Sequence, residues 1–457
     1  MATHFDAQLF DNLIDETEVA ASLGGGIGKT SEWVLKNLRH PMNWNKPYSF
    51  QDHEFQIDIL NDTAPHCVVR KATQVTLTSV GVMLALALAA KLKNITIIYT
   101  MPSLGASQKL VASRVDPFIK SSPRLAGLID NSVDSTSLKK IQNSFLYFSG
   151  AANTNAAISV PARALFIDEY SFSNPEVISV YSSRVGHNKP GTEIVRIWSS
   201  PLHPHSDISA LYEKGDQRVY MVFHRSGSQW VELDPLQCLV LPGYDGAIAD
   251  IQPSDLDQPG VRIEEAKILC PHCRREITQE NLCQPDHRSW VARFPSRDVH
   301  SFDANCHVLP AYRTPQKIFG DLRIYRNTTR WLQYAAGVPA ASASEQIMEH
   351  MIDNSFKVRP VGPEEGGVYG ASLGCDIGKV SHLMIGKQVN GILEVFRVEK
   401  IQQDGENRLK KTIVDRFNAY RGVSCCIDAA PDVSIVSSVQ AELPYDAVHG
   451  VFFVRGK

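Results

Sequence analysis

Residues Arg163–Phe172 read RALFIDEYSF, and the fold turns on them. Ala164 to Ile167 form the unbroken apolar run expected of a strand buried in a parallel sheet, where alternation is lost. Asp168 and Glu169 follow at its carboxyl end, the edge where open α/β sheets receive ligands. There the first carboxylate can hold Mg2+ through water and the second can polarise an attacking water. The same residues would also serve as a plain strand followed by an acidic turn. The chain upstream separates the two readings.

Val68–Ala90 reads VVRKATQVTLTSVGVMLALALAA. Two valines close a short apolar run, a polar loop follows, and from Val80 the pattern is an alanine-rich apolar helix. In such a strand, loop and helix unit, the loop amides and helix N-terminus favour phosphate oxygens, and a loop lysine adds charge. Lys71 is that lysine, and Thr78 and Ser79 offer a hydroxyl for Mg2+ or a helix cap. The common G-x-x-x-x-G-K-[ST] spacing is absent and the loop holds no glycine. A rival stretch, GGGIGKT at Gly24–Thr30, has no apolar strand before it. It reads as a turn, with Thr30 or Ser31 capping a helix and Lys29 as the alternative phosphate ligand.

Lys71, Gln74, Thr76 and Thr78 follow the pattern K-x-x-Q-x-G-x-[ST], with Thr76 in the place of the glycine. This pattern and the order of the elements resemble the large terminase subunits of tailed phages, particularly the lambda-like group. Arg114 and Pro117 fall where that family has an arginine and a proline, and the likeness runs from about Pro47 onward. The resemblance implies an ATP site at Arg70, Lys71, Gln74, Thr76, Thr78 and Ser79, with Gln56 or Arg70 near adenine or phosphate. It implies catalysis by Asp168 and Glu169, and coupling of hydrolysis to movement by Ser199, Ser200 and Pro201.

Tyr369–Ile401 reads as three strands: a run reaching Asp376, a second through Met384 and Ile385, and a third after the Asn390-Gly391 turn. Leu409, Ile413, Val414 and Phe417 then recur at helical spacing, and another apolar run ends at Asp428. Strand, strand, strand, helix, strand, with aspartates on the first and fourth strands, resembles the ribonuclease H-like nuclease fold. Paired carboxylates there can hold Mg2+ or Mn2+ for in-line attack on a phosphodiester. The family's third acidic cluster is not reached before Lys457, so this domain reads as incomplete at its C-terminal side.

Between the two regions, Cys270 and Cys273 form one C-x-x-C, with Cys283, His287, Cys306 and His307 downstream. A closed zinc site needs four ligands, so the pair is half a site. Related terminases supply a second pair earlier, where this chain keeps His224; the reading is zinc held by His224, Cys270, Cys273 and one downstream residue, or a loop retaining vestigial cysteines.

The 457 residues, 43% hydrophobic, suffice for two or three domains, and 46 basic against 49 acidic side chains leave no overall basic field for nucleic acid. The run Val80–Ala90 is too short to span a bilayer and the N-terminus has no secretory pattern, which points to a soluble cytoplasmic protein. The expected fold is α/β: an appendage at 1–45, a P-loop ATPase of the ASCE-like class with a parallel sheet at 46–345, a linker at 346–368 and the nuclease at 369–457. The cysteine-bearing insertion spans Val222–Trp290. The resemblance implies an ATP-driven packaging motor and nuclease whose partners are double-stranded DNA, a small terminase subunit, a prohead portal and further copies of itself, with no membrane. A helicase-like ATPase and nuclease of DNA repair, or a non-catalytic DNA-binding remnant, are the alternatives.

Overall fold

In a computed structural model the chain forms two compact units, Met1–Glu345 and Gln346–Lys457. The structure describes residues 29–40, 43–152, 160–341, 370–378, 380–389, 392–402, 406–429 and 433–451. Most of the glycine-rich stretch, the 346–368 linker, Lys379, the Asn390-Gly391 turn and residues 452–457 lie outside these.

The first unit is built on strands β1 (His66–Lys71), β2 (Thr96–Met101), β3 (Ile129–Asp134), β4 (Leu138–Ile141), β5 (Ser144–Gly150), β6 (Ala164–Asp168), β7 (Ile194–Ser199), β8 (Arg218–His224), β9 (Gln229–Val231), β10 (Arg288–Ala292) and β11 (His300–Ala304). Their order is β9-β8-β11-β1-β7-β6-β2-β5-β4-β3, with β10 also paired to β8. Every pairing from β8 across to β5 is parallel. β6 is buried along its whole length, as its unbroken apolar run requires. β7 lies between the loop-bearing β1 and the acidic β6.

Helix α1 (Thr30–Asn37) packs through Val34 and Leu38 into the core that also holds α2 (Leu77–Leu92). Its N-cap is Lys29, with no side-chain cap bond, so neither Thr30 nor Ser31 is the cap; Ser31 instead exchanges hydrogen bonds with Asn61. α2 is apolar on nearly all sides because it is covered by the sheet beneath and by α1 above. Its Gly81 is required: a Cβ there would stand 2.1 Å from the Trp198 ring. Among the described residues no helix is long and apolar enough to cross a membrane.

The insertion is narrower than Val222–Trp290. Val222 pairs with Arg288 and Trp290 with Tyr220, so both expected boundaries lie inside the paired strands β8 and β10, and the excursion proper is 225–287. Its Leu239, Ile268, Cys270 and Leu282 share a core with α4 (Pro315–Tyr325) and the π-helix Trp331–Ala336; α3 (Asp207–Lys214) precedes β8.

The second unit contains β12 (Ser372–Asp376), β13 (Val380–Val389), β14 (Ile392–Gln402), α5 (Glu406–Ala419), β15 (Ser424–Asp428), α6 (Val433–Gln440) and β16 (Val448–Val451). The sheet order is β14-β13-β12-β15-β16. β12 to β14 run antiparallel in turn, and β15 and β16 continue parallel to β12. Leu409, Ile413 and Phe417 of α5 and Val436 and Val439 of α6 pack on Leu373, Leu383, Cys425 and Ile427. Alternation along β15 leaves Cys425 buried and Cys426 exposed.

Candidate functional site

Parallel pairing of β1, β7 and β6 brings Lys71, Ser199 and Asp168 to one edge of the sheet. Nζ of Lys71 lies 2.7 Å from Oε1 of Glu169, the lysine side chain 6% exposed and the glutamate 27%. Glu169 has φ 56° and ψ 49°, left-handed values that cost an L-residue about 1–2 kcal/mol. The sharp turn that results keeps Glu169 beside Asp168 at the strand end. Ser199 accepts a hydrogen bond from the Ser171 amide at 3.1 Å, and its Oγ donates toward Oε2 of Glu169 at 3.5 Å. Ser200 is buried and its hydroxyl has no protein partner; Pro201 is buried beside it.

Asp168 is fully buried. Its Oδ2 accepts from the Tyr99 hydroxyl at 3.0 Å, while Oδ1 is buried without a partner. Burial pushes the carboxyl up to about 6 and the Glu169 charge adds to this; Lys71 and the hydroxyls of Thr78 and Tyr99 act against both. A buried carboxylate oxygen left without a donor, beside a threonine hydroxyl, fits a divalent cation with oxygen ligands.

The helix after the loop starts at Leu77, earlier than Val80, so Thr78 and Ser79 occupy its first turn. Gln74 and Thr76 both have left-handed φ, 62° and 59°. Thr76 thus adopts the conformation for which its family pattern has glycine. Its Oγ1 donates to the Val75 carbonyl at 2.8 Å and accepts from Nε2 of Gln56. Gln56 is wholly buried, its Nε2 steadying Thr76 from behind the loop. The loop is also gripped from its other end. The Ala72 amide donates to the Ala304 carbonyl at 2.9 Å, and the Thr73 amide and hydroxyl both donate to the Tyr334 carbonyl at 2.8 and 2.9 Å. Gly337, at φ 77°, permits this approach, since a Cβ would stand 2.9 Å from the Ala72 nitrogen.

Arg70 departs from its expected ATP contact. Neighbouring residues of a strand face opposite sides of the sheet, so Lys71 and Arg70 diverge. Arg70 donates Nε to Oδ1 of Asp303 at 3.0 Å, places NH2 3.0 Å from Oδ2, and lies 4.3 Å over the Tyr212 ring. Its charge is spent on the α3 side.

In the excursion, ligand atoms of His224, Cys270 and Cys273 all lie within 4.8 Å of one another. Sγ of Cys273 is 3.6 Å from Nδ1 of His224. Zn–S of about 2.3 Å and Zn–N of about 2.05 Å at a tetrahedral angle predict about 3.6 Å for that edge. Burial works against ionising the Cys270 thiol, yet amides of Cys273 and His272 hold it below the usual range, which suits a thiolate ligand. The donor set therefore fits zinc. The expected downstream ligand is a different matter: among the described residues no further Cys, His, Asp or Glu joins the trio. Asn281 occupies His287, and Cys306 is buried in the adjoining core.

In the second unit β12 and β15 pair in parallel through Cys375 and Ile427, so Asp376 and Asp428, the next residues, end neighbouring strands. Strands so paired lie about 4.8 Å apart, within reach of a common ion. Asp376 also faces His382 across β13, its Oδ2 4.0 Å from Nδ1.

A family model described as the ATPase domain of phage terminase large subunit gpA matches residues 45–285. Among solved structures, the large terminase of bacteriophage HK97 is similar at 10% identity, covering 97% of this chain and 85% of that one with a TM-score of 0.53, a likeness of fold. The large terminase of the thermophilic bacteriophage D6E gives 10% identity, coverage of 89% and 82%, and a TM-score of 0.37. The large terminase ATPase domain of Thermus phage P74-26 gives 14%, 64% and 94%, and 0.36. Among curated proteins none matches.

Proposed function

The chain belongs to the gpA family of phage terminase large subunits, whose ATPase domain its first unit carries, and from this we propose that it drives double-stranded DNA into a prohead and cuts that DNA. The observation that carries the motor reading is the convergence of Lys71, Asp168, Glu169 and Ser199 at one sheet edge. Lys71, the loop amides and the α2 N-terminus bind the ATP phosphates. Asp168 and Thr78 would hold Mg2+, which would supply neutralisation of phosphate charge.

Lys71 is paired with Glu169. Phosphate competes for the lysine, and Glu169 released from it can orient the attacking water. Ser199, bonded to both the Ser171 amide and Glu169, is placed to pass that change into the chain after β7. Other copies of the chain, a small subunit and a portal complete the motor in this reading. In the second unit Asp376 and Asp428 would hold Mg2+ or Mn2+ for phosphodiester cleavage, and His224, Cys270 and Cys273 would supply three of the four ligands of a structural zinc.

The test combines DNA-stimulated ATP hydrolysis with capture of purified portal. Wild type hydrolyses ATP and binds portal, and Lys71→Ala loses nucleotide binding and hydrolysis together. Turnover without portal binding would favour a repair enzyme, loss on Lys29→Ala alone would move the site, and no turnover would leave a DNA-binding remnant.

A further inference from the structure

We propose that Tyr99, on the strand beyond the acidic one, is a positioning residue of the hydrolytic site: its hydroxyl fixes Asp168 so that Oδ1 stays available to the divalent cation. This rests on the ATPase reading above. A carboxylate at a strand end turns easily about its terminal torsion, which is broad and roughly two-fold, and so presents either oxygen. Here the choice is made. Oδ2 accepts from Tyr99 at 3.0 Å, and Oδ1, equally buried, is left without a hydrogen-bond partner.

Tyr99 has no freedom of its own. It is fully buried, its ring stacks on Phe166 at 5.7 Å and 6°, lies 5.8 Å from Phe148 and meets Trp198 edge-on at 6.1 Å. Helix α2 leaves room for the hydroxyl: a Cβ on Gly81 would come within 2.9 Å of it and closer still to Trp198. β2 is otherwise a buried run, Thr96–Met101, in which phenylalanine would fill the same space without bringing a hydroxyl into the core. The hydroxyl is therefore there for its partner, and the partner is the metal-side carboxylate.

The experiment uses the whole chain with Tyr99→Phe, which removes one oxygen and keeps the ring. Mn2+ binding in the presence of a non-hydrolysable ATP analogue is followed by electron paramagnetic resonance, and analogue binding without metal by fluorescence. Loss of a group that orients a ligand costs about tenfold or more in metal affinity. Tyr99→Phe should thus weaken Mn2+ about tenfold, while metal-free analogue binding through Lys71 and the melting temperature stay near wild type. Phe148→Leu, which keeps the hydroxyl but loosens the packing of the ring that carries it, should lose Mn2+ affinity in the same direction and decides the matter if Tyr99→Phe does not fold. Mn2+ affinity within twofold of wild type in the folded variant overturns the proposal while leaving the ATPase reading intact. Wild type that binds no analogue sinks that reading and this one with it.

Discussion

Glu169→Gln should separate chemistry from binding. The substitution keeps shape and removes the charge that could activate water. Loss of a general base costs about 10²–10⁴ in rate, or about 2.7–5.4 kcal/mol in the barrier. Binding should move the other way. Incoming phosphate must take Lys71 from a carboxylate 2.7 Å away, and a hydrogen bond between charged groups is worth about 1.5–3 kcal/mol when buried. Glu169 is 27% exposed, so the lower end of that range applies; glutamine still accepts weakly, worth about 0.5 kcal/mol, leaving about 1 kcal/mol, or about fivefold tighter ATP. Equilibrium titration with a fluorescent ATP analogue reads the affinity, and single-turnover hydrolysis reads the chemical step. Unchanged hydrolysis would refute the assignment of the base. Weakened binding would refute the competition for Lys71.

Asp376→Ala should abolish DNA cleavage in Mn2+ and leave ATP hydrolysis within about twofold, measured on plasmid and by phosphate release, because the two sites belong to separate compact units. Protein prepared without chelators should carry about one zinc per chain by elemental analysis, and His224→Ala should lose it; metal-free wild type would mark the cysteines as vestigial. His307 is buried with neither ring nitrogen bonded, and burial first, then Arg288, pushes its pKa from 6.5 down to about 3. Its neutral form belongs to the fold, so its contribution is complete above pH 6.5 and is lost as pH falls toward 3, at up to about 1.4 kcal/mol per unit. Denaturant midpoints of His307→Leu should fall less steeply over that window than those of wild type; parallel curves would exclude His307 as the source.

The parallel sheet is legible because Ala164–Ile167 is an unbroken apolar run ending in acids and the strand, loop and helix pattern of Val68–Ala90 stands upstream of it. The loop is harder. Its family pattern carries Lys71 and Thr78, but the helix start at Leu77 depends on Thr76 accepting a left-handed conformation, and Gln56, which steadies it, is remote in sequence. Arg70 misleads because adjacency in sequence suggests a shared role, whereas a strand sends neighbours to opposite faces. The insertion's edges are hidden in β8 and β10, whose pairing is a long-range fact. Tyr99 and Tyr334 carry no local signal, since one acts across the sheet and the other through a main-chain carbonyl.

The hydrophobic wedge behind the loop has a mechanical meaning. Cys270 and Leu282 of the excursion press on Phe319 and Trp331, and three residues after Trp331 the carbonyl of Tyr334 holds Thr73. A module that touches no nucleotide therefore stands as a backstop to the part of the chain that does. Slack introduced at Cys270 or Leu282 would travel through that wedge and surface as a looser hold on Thr73, so damage in the excursion would first be noticed in the loop after β1.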